Sequence, residues 1–572
     1  MTLIIPETID AINPSDWHAY KPFFEELESR ELSQDTVTSW LSDWSHLLAL
    51  VHEAGAMIYI RKSIDTADTE REAAFMEFIS NVEPNVRNAN QRLRQRLLAA
   101  NLDAFLPEDM ELIIRNMRSE AALFREENVP LQVEVAKLGN EYDKITGGLT
   151  AVWEGEEKNL SQLSGLLLDK NRDVREKAWL TAMDLWQGVR DDLNALFIKM
   201  LDLRQQIARN AGLNDYRAYA FQEYLRFDYT PEDCLTFHDA IEKVVVPAAQ
   251  RIYEKKRQQL GVERLRPWDT RVDASEHPTL RPYSGQTQLI QGCLNIFNQV
   301  DPVLGRYLAT MAEEELLDLD TRPGKALGGY CSTLPLRKRP FIFMNGIGTH
   351  DDVQTMLHES GHAFHAFEAA NQSFIWQENA PMEFCEVASM SMELLAAPYL
   401  TNQHGGFYTQ TEAAQAQKEH LESLITFLPY MAVVDAFQHW VYTHPQAAAN
   451  PNECDKIWDT LWQKFMPGID FTGYEPIRES GWHRKLHIFQ VPFYYIEYGI
   501  AQIGAMQIWR NSLKDQQAAT QAYRRALALG STKTLPELFQ AANIEFRFDA
   551  ELVAELVTLV EDKIMQLETH LR

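Results

Sequence analysis

The sequence predicts a mainly α-helical protein with one small antiparallel β element, and three observations lead there. Apolar residues recur at helical spacing through most of the 572 residues. The best strand signals are confined to residues 321–348. No 20–50-residue repeat is present, which excludes a solenoid.

Taken in order, the first 210 residues read almost entirely as helix, with long amphipathic stretches such as EREAAFMEFISNVEPNVRNANQRLRQRLLAANL. The stretch GVERLRPWDTRVDASEHPTLRPYSGQ, residues 261–286, is rich in proline, charge and turn residues and reads as a long loop. Within TRPGKALGGYCSTLPLRKRPFIFMNGIG, residues 321–348, the runs GGYCSTL and PFIFMN are expected to pair as the antiparallel sheet. A further helical region follows, broken by HPQAAANPNE (444–453) and MPGIDFTGYEP (466–476).

Composition narrows the partners. Hydrophobic and charged fractions of 45% and 24% are those of an ordinary globular protein. With 54 basic against 82 acidic residues the net charge is −28, which argues against nucleic acid or an anionic membrane as main partner. The first residues, MTLIIPETIDAINP, lack a basic n-region, and no apolar run approaches the roughly 18 residues needed to span a bilayer. Cys234, Cys293, Cys331, Cys385 and Cys454 are scattered and show no CxxC spacing. They read as reduced thiols, and the expected location is cytoplasmic.

The chemistry concentrates in MLHESGHAFH, residues 356–365, where HESGH matches H-E-x-x-H. On a helix, His358 and His362 lie one turn apart on one face and can hold a single metal ion. Glu359 projects about 100° around the helix, beside the ion, where a general base belongs. Two buried histidines on a packed helix would give the same pentapeptide, so the context has to decide.

A catalytic zinc needs a third protein ligand and an open position. The pattern H-E-x-x-H-x-x-G-x-x-H is excluded, because His365 and Glu368 stand where glycine and histidine would be. The alternative is a glutamate on a second helix. After a break at Asn379 and Pro381, MEFCEVASMSMELLAAPYL carries Glu383, Glu386 and Glu393 on or near one side of an otherwise apolar helix. Glu386 is the chosen third ligand and Glu383 its rival, since a first-turn acid is also favoured by the helix dipole. Glu393 is read as an acceptor for the far nitrogen of a ligand histidine. His365 is expected to pack or support rather than ligate. Gly361, costly in a helix, points to a close approach by another backbone. Cys385 reads as a packing cysteine.

The run GKALGGYC…PFIFMNGIGTHDDVQTMLHESGHAFH…NAPMEFCEVASMSMELL resembles the thimet oligopeptidase family of zinc metallopeptidases, and most of all its oligoendopeptidase F and Pz-peptidase branch. The resemblance extends to RPWD (266–269), HRKLHIFQVPFYYIEYGIAQIGA (483–505) and YRRALALGSTKTLPELFQAANIEF, and so covers roughly residues 190–560. It implies two helical lobes around a deep substrate channel, with the small sheet beside the zinc helix. Residues 1–190 would form the N-terminal lobe and 191–572 the catalytic domain.

By position, His358, His362 and Glu386 match the family's ligands to one Zn2+ per chain, and Glu359 its general base. His487, Tyr495 and Tyr498 match groups facing the metal, with Tyr494 the alternative if the register differs by one. The expected activity is hydrolysis of internal bonds in short unfolded peptides, with the PFIFMN strand pairing with the substrate. Two rivals remain, a helical zinc dipeptidyl carboxypeptidase and a non-catalytic peptide-binding protein. The oligomeric state is left open.

Overall fold

The structure, a computed structural model, describes residues 4–274, 278–326 and 328–571. The middle of the expected 261–286 loop, the leucine of GKALGG and the first three residues therefore lie outside the described residues.

Helices dominate, and two large apolar cores organise them. The first is built on α1 (Val37–Ile64), whose Trp40 and Trp44 are fully buried with ring centroids 5.1 Å apart. It gathers residues from Ile5 to Met117 and takes in Phe374 and Ile375 from much later in the chain. The helical reading of the first 210 residues misses one feature, a hairpin of β1 (Thr150–Trp153) and β2 (Glu156–Asn159). Its two-residue turn, Glu154–Gly155, has φ of +52° and +88°. Such a turn fits the right-handed twist of the strands and needs glycine or a tolerant residue at both positions.

The second core starts from α2 (Arg190–Asn210) and α3 (Pro231–Ala240). Proline at the first helical position and a Thr230–Asp233 capping box fix where α3 begins. The helix then widens into a π-turn over Ile241–Val245.

The sheet expected at 321–348 is present, with one strand more. β3 (Leu317–Asp320), β4 (Tyr330–Leu334) and β5 (Arg339–Gly346) lie in the order β3-β5-β4. β4 pairs antiparallel with β5, Tyr330 opposite Phe343, as the GGYCSTL and PFIFMN runs suggest. β3 adds in parallel on the far side, and its four residues, LDLD, are too short and polar to stand out in the sequence. This corrects the substrate-pairing expectation. PFIFMN is the central strand, with Pro340 to Met344 all buried and both edges already paired, so the edge strands are β3 and β4, of which β4 is the one beside the H-E-x-x-H helix's cavity.

Four further helices and one helical turn frame the site: α4 (His350–Ala369), α5 (Met382–Ala396), α6 (Gln410–Thr443), the single turn α7 (Leu486–Gln490) and α8 (Tyr495–Ser512). The start of α4 is set by Asp352, whose carboxylate accepts from Thr349 N–H at 2.7 Å, Ile347 N–H at 2.9 Å and Tyr283 O–H at 2.9 Å. Between α4 and α5 the chain makes one short helical turn, Ile375–Glu378, before Pro381. α5 packs between α4 and α8. At Gly361 the approach is close: a Cβ there would sit 2.5 Å from Ser389 Cα and 2.6 Å from the Ala388 carbonyl oxygen. The missing side chain is what lets α4 and α5 touch along their backbones. No helix among the described residues is long and apolar enough to cross a membrane.

Candidate metal centre and active site

His358 and His362 stand one turn apart on α4 with ring centroids 5.0 Å apart. From α5, Glu386 brings Oε2 to 3.5 Å from His358 Nε2 and 3.8 Å from His362 Nε2. One donor atom from each residue falls within 4.8 Å of the others. Tetrahedral ligands at bonds of about 2.0–2.2 Å lie roughly 3.3–3.6 Å from one another, so these side chains fit a zinc ion with little rearrangement.

The surroundings hold these donors in place. The Ser389 hydroxyl donates to Glu386 Oε2 at 3.0 Å. Glu393 lies 2.7 Å from His358 Nδ1, which leaves Nε2 to face the site. Its other oxygen is 2.8 Å from Nε2 of His420 on α6. Burial pushes the Glu393 carboxyl up, yet hydrogen bonds to His358 and His420 win and hold it at about 2. His420 escaped the sequence reading because KEHLESL is an ordinary amphipathic run with no motif around it.

Glu383, the rival ligand, is engaged elsewhere. Its Oε1 accepts from the Tyr229 hydroxyl at 2.6 Å and lies 3.6 Å from Arg226 Nε. His365 is buried beside Phe384 and lies outside the three-residue donor set. Burial pushes its imidazole down to about 4.

His358, Glu359, His362 and Glu386 line a cavity of about 430 Å³, together with Cys385, Tyr498 and, on and before β4, Gly329, Tyr330, Cys331 and Thr333. Cys385 packs against the large core, as expected, and also forms part of the cavity wall. Burial raises the Glu359 carboxyl to about 7, against the opposing pull of His358. An adjoining cavity of about 420 Å³ is lined by Glu393, His420, Lys485, His487, Tyr495 and again Tyr498.

The tyrosine helix begins at a strained backbone. Phe493 has φ of +67°, held by its N–H donating to Gln438 Oε1 at 2.7 Å and by its carbonyl accepting from Arg226 Nη2 at 2.7 Å. Of the expected tyrosines, Tyr498 is on the wall of both cavities. Tyr494 and Tyr498 both feel the charge of Glu386. Tyr495 instead accepts from Lys485 Nζ at 2.8 Å and packs on Tyr430 and Phe427. His487 has its ring 4.9 Å from that of Tyr495 and 6.1 Å from that of Tyr498. Burial, and then Lys485, push His487 down to about 4, so it is neutral at physiological pH. Lys485 was not singled out from the sequence; it is visible in HRKLH only once His487 is placed.

A helical fold in which an H-E-x-x-H helix meets a glutamate from the next helix defines the class of helical metallopeptidases. The sequence model of peptidase family M3 matches residues 166–558, and that of the peptidase M3 N-terminal domain matches 11–124. The chain belongs to peptidase family M3. Its fold is similar to that of Pz peptidase A, solved with an inhibitor, at a TM-score of 0.87 and 27% identity, covering 97% of this chain and 98% of that one. It is 23% identical to the plasmid-encoded oligoendopeptidase F of Lactococcus lactis subsp. cremoris over 71% of this chain. That match spans 65% of the lactococcal protein, just under two thirds. An oligoendopeptidase F homologue of Borreliella burgdorferi is 19% identical, with 89% of this chain and 87% of the homologue covered.

Proposed function

We propose that this chain is a zinc-dependent endo-oligopeptidase that hydrolyses internal bonds of short unfolded peptides. The observation that carries the reading is the convergence of donor atoms from His358, His362 and Glu386 within 4.8 Å, with Glu359 on the same cavity wall. Two nitrogens and one carboxylate suit zinc, one ion per chain. In this reading residues 1–190 form a lobe over the site and residues 191–572 carry the chemistry.

Zinc held there supplies Lewis acidity, polarising a water molecule and the scissile carbonyl. Glu359 takes the proton from the attacking water and returns it to the leaving amine. A carboxyl raised toward neutrality is suited to both transfers. The Tyr498 hydroxyl and His487 donate hydrogen bonds where negative charge develops on the former carbonyl oxygen, with Tyr494 close by. Tyr495 acts one step back, holding Lys485. The edge of β4 offers main-chain N–H and C=O groups to an extended peptide, a mode of binding that depends little on side chains. The names of the similar proteins, Pz peptidase A and oligoendopeptidase F, support peptides as the substrate class.

The test is Glu359→Gln, with zinc content and cleavage of a quenched fluorescent peptide library measured side by side. The variant should keep its zinc and lose turnover by several orders of magnitude, about 10³-fold or more. Loss of metal, or activity close to wild type, would overturn the role given to Glu359. The dipeptidyl carboxypeptidase reading is tested on the same peptides carrying amidated C-termini. Cleavage that survives amidation favours the endopeptidase, and abolition favours the rival.

A further inference from the structure

Lys485 stands just before α7 on the wall of the 420 Å³ cavity, and the proposed mechanism leaves its charge unused. Its Nζ donates to the Tyr495 hydroxyl at 2.8 Å. The same atom lies 4.0 Å from the centroid of the Tyr495 ring and 5.5 Å from that of Tyr430. Among the described residues no aspartate or glutamate pairs with it. Glu393 lines the same cavity but is taken by His358 and His420. His487, on the same wall, is neutral at physiological pH.

An ammonium carries three N–H donors, and the Tyr495 hydroxyl accepts from one. The aromatic faces favour the cation but supply no further acceptor. A half-buried ammonium without a counter-ion is costly, and burial pushes this one down from 10.5 to about 8. A carboxylate arriving in the cavity would offset that cost and accept from the remaining donors. Tyr498 is common to both cavities, so the space in front of Lys485 adjoins the metal donors.

We propose that Lys485 determines specificity: its ammonium binds a carboxylate of the peptide substrate in the cavity next to the metal donors, an inference that rests on the peptidase reading of the site. An acidic side chain and the free C-terminus of a short peptide present the same chemistry there. Tyr495 is then a positioning residue, whose hydroxyl and ring fix where the ammonium stands. The β4 edge contributes binding that depends little on side chains, whereas Lys485 adds a preference for one charged group.

The test is peptide affinity in the zinc-loaded, full-length Glu359→Gln chain, at a pH of about 7, where Lys485 is still mainly protonated. A single glutamate is moved along an otherwise neutral fluorescent peptide, and each member is paired with its glutamine counterpart. Each is made with a free and with an amidated C-terminus. At one glutamate position, or at the free C-terminus, the carboxylate form should bind about 10–100-fold more tightly than its neutral counterpart. The comparison that shows the preference identifies the carboxylate. Adding Lys485→Met should bring the same ratio to about one. No preference at any position or terminus with Lys485 intact would overturn the proposal, whether or not Lys485→Met folds. A preference that survives Lys485→Met would overturn it too, as would an equal loss of affinity for every peptide. The peptidase reading fails separately, by Glu359→Gln losing its zinc or keeping its turnover, and the affinity ratio still reports on Lys485.

Discussion

Glu393 lies 2.7 Å from Nδ1 of His358, and the same carboxylate is 2.8 Å from His420, so one side chain of α5 ties α4 to α6 behind the donor set. The carboxylate fixes the His358 tautomer and makes the imidazole a stronger donor at Nε2. Glu393→Gln should weaken zinc binding by about 10–100-fold. At saturating zinc its turnover should stay far above that of Glu359→Gln. Competition with a chelator of known affinity measures this, and an unchanged zinc affinity would contradict it.

Gly361 tests the contact between the two helices that carry the proposed ligands. A methyl group there would meet backbone, at 2.5 Å from Ser389 Cα and 2.6 Å from the Ala388 carbonyl, and backbone cannot rotate aside. Gly361→Ala normally helps a helix, by up to about 1 kcal/mol. Here α4 and α5 must separate instead, at about 1–3 kcal/mol, drawing Glu386 away from His358 and His362. The expected result is a lower Tm together with weaker zinc binding. A variant more stable than wild type with full zinc would contradict it.

These two cases mark what the sequence makes legible. His358, Glu359 and His362 follow from spacing, and the approach at Gly361 from glycine's cost in a helix. The choice of Glu386 over Glu383 rests on a contact that no local pattern encodes, because Tyr229 and Arg226, which engage Glu383, lie more than 150 residues away in the chain. His420 and Lys485 share that difficulty, since their roles come from which helix faces which. PFIFMN reads correctly as a strand, but its place in the centre of the sheet depends on β3, whose LDLD carries too little pattern to be seen.

The tyrosines separate by where their hydroxyls are held. Tyr498 lines both cavities, whereas the Tyr495 hydroxyl is taken by Lys485. Tyr498→Phe should lower kcat by about 10²–10³-fold, the usual effect of removing one donor to a developing oxyanion. Its KM should change little. Tyr495→Phe should stay within about tenfold of wild type. Steady-state kinetics on a single peptide substrate compare the two, and the reverse order would hand the role to Tyr495.

On the proposed mechanism, the acidic limb of the pH profile should report Glu359. A general base works only when ionised, so activity is lost as pH falls through its pKa, about tenfold per unit beyond it. Burial raises this carboxyl from 4.5 to about 7. A bound divalent cation favours the ionised form and draws it back toward the ordinary value. The limb in kcat/KM should therefore fall between pH 4.5 and 7, with zinc content constant across that window. Relieving part of the burial, for example by Cys331→Ser on the same cavity wall, should move the limb to lower pH. A limb that tracks zinc release would instead report protonation of the ligands, and Glu359 would then leave no mark on the profile.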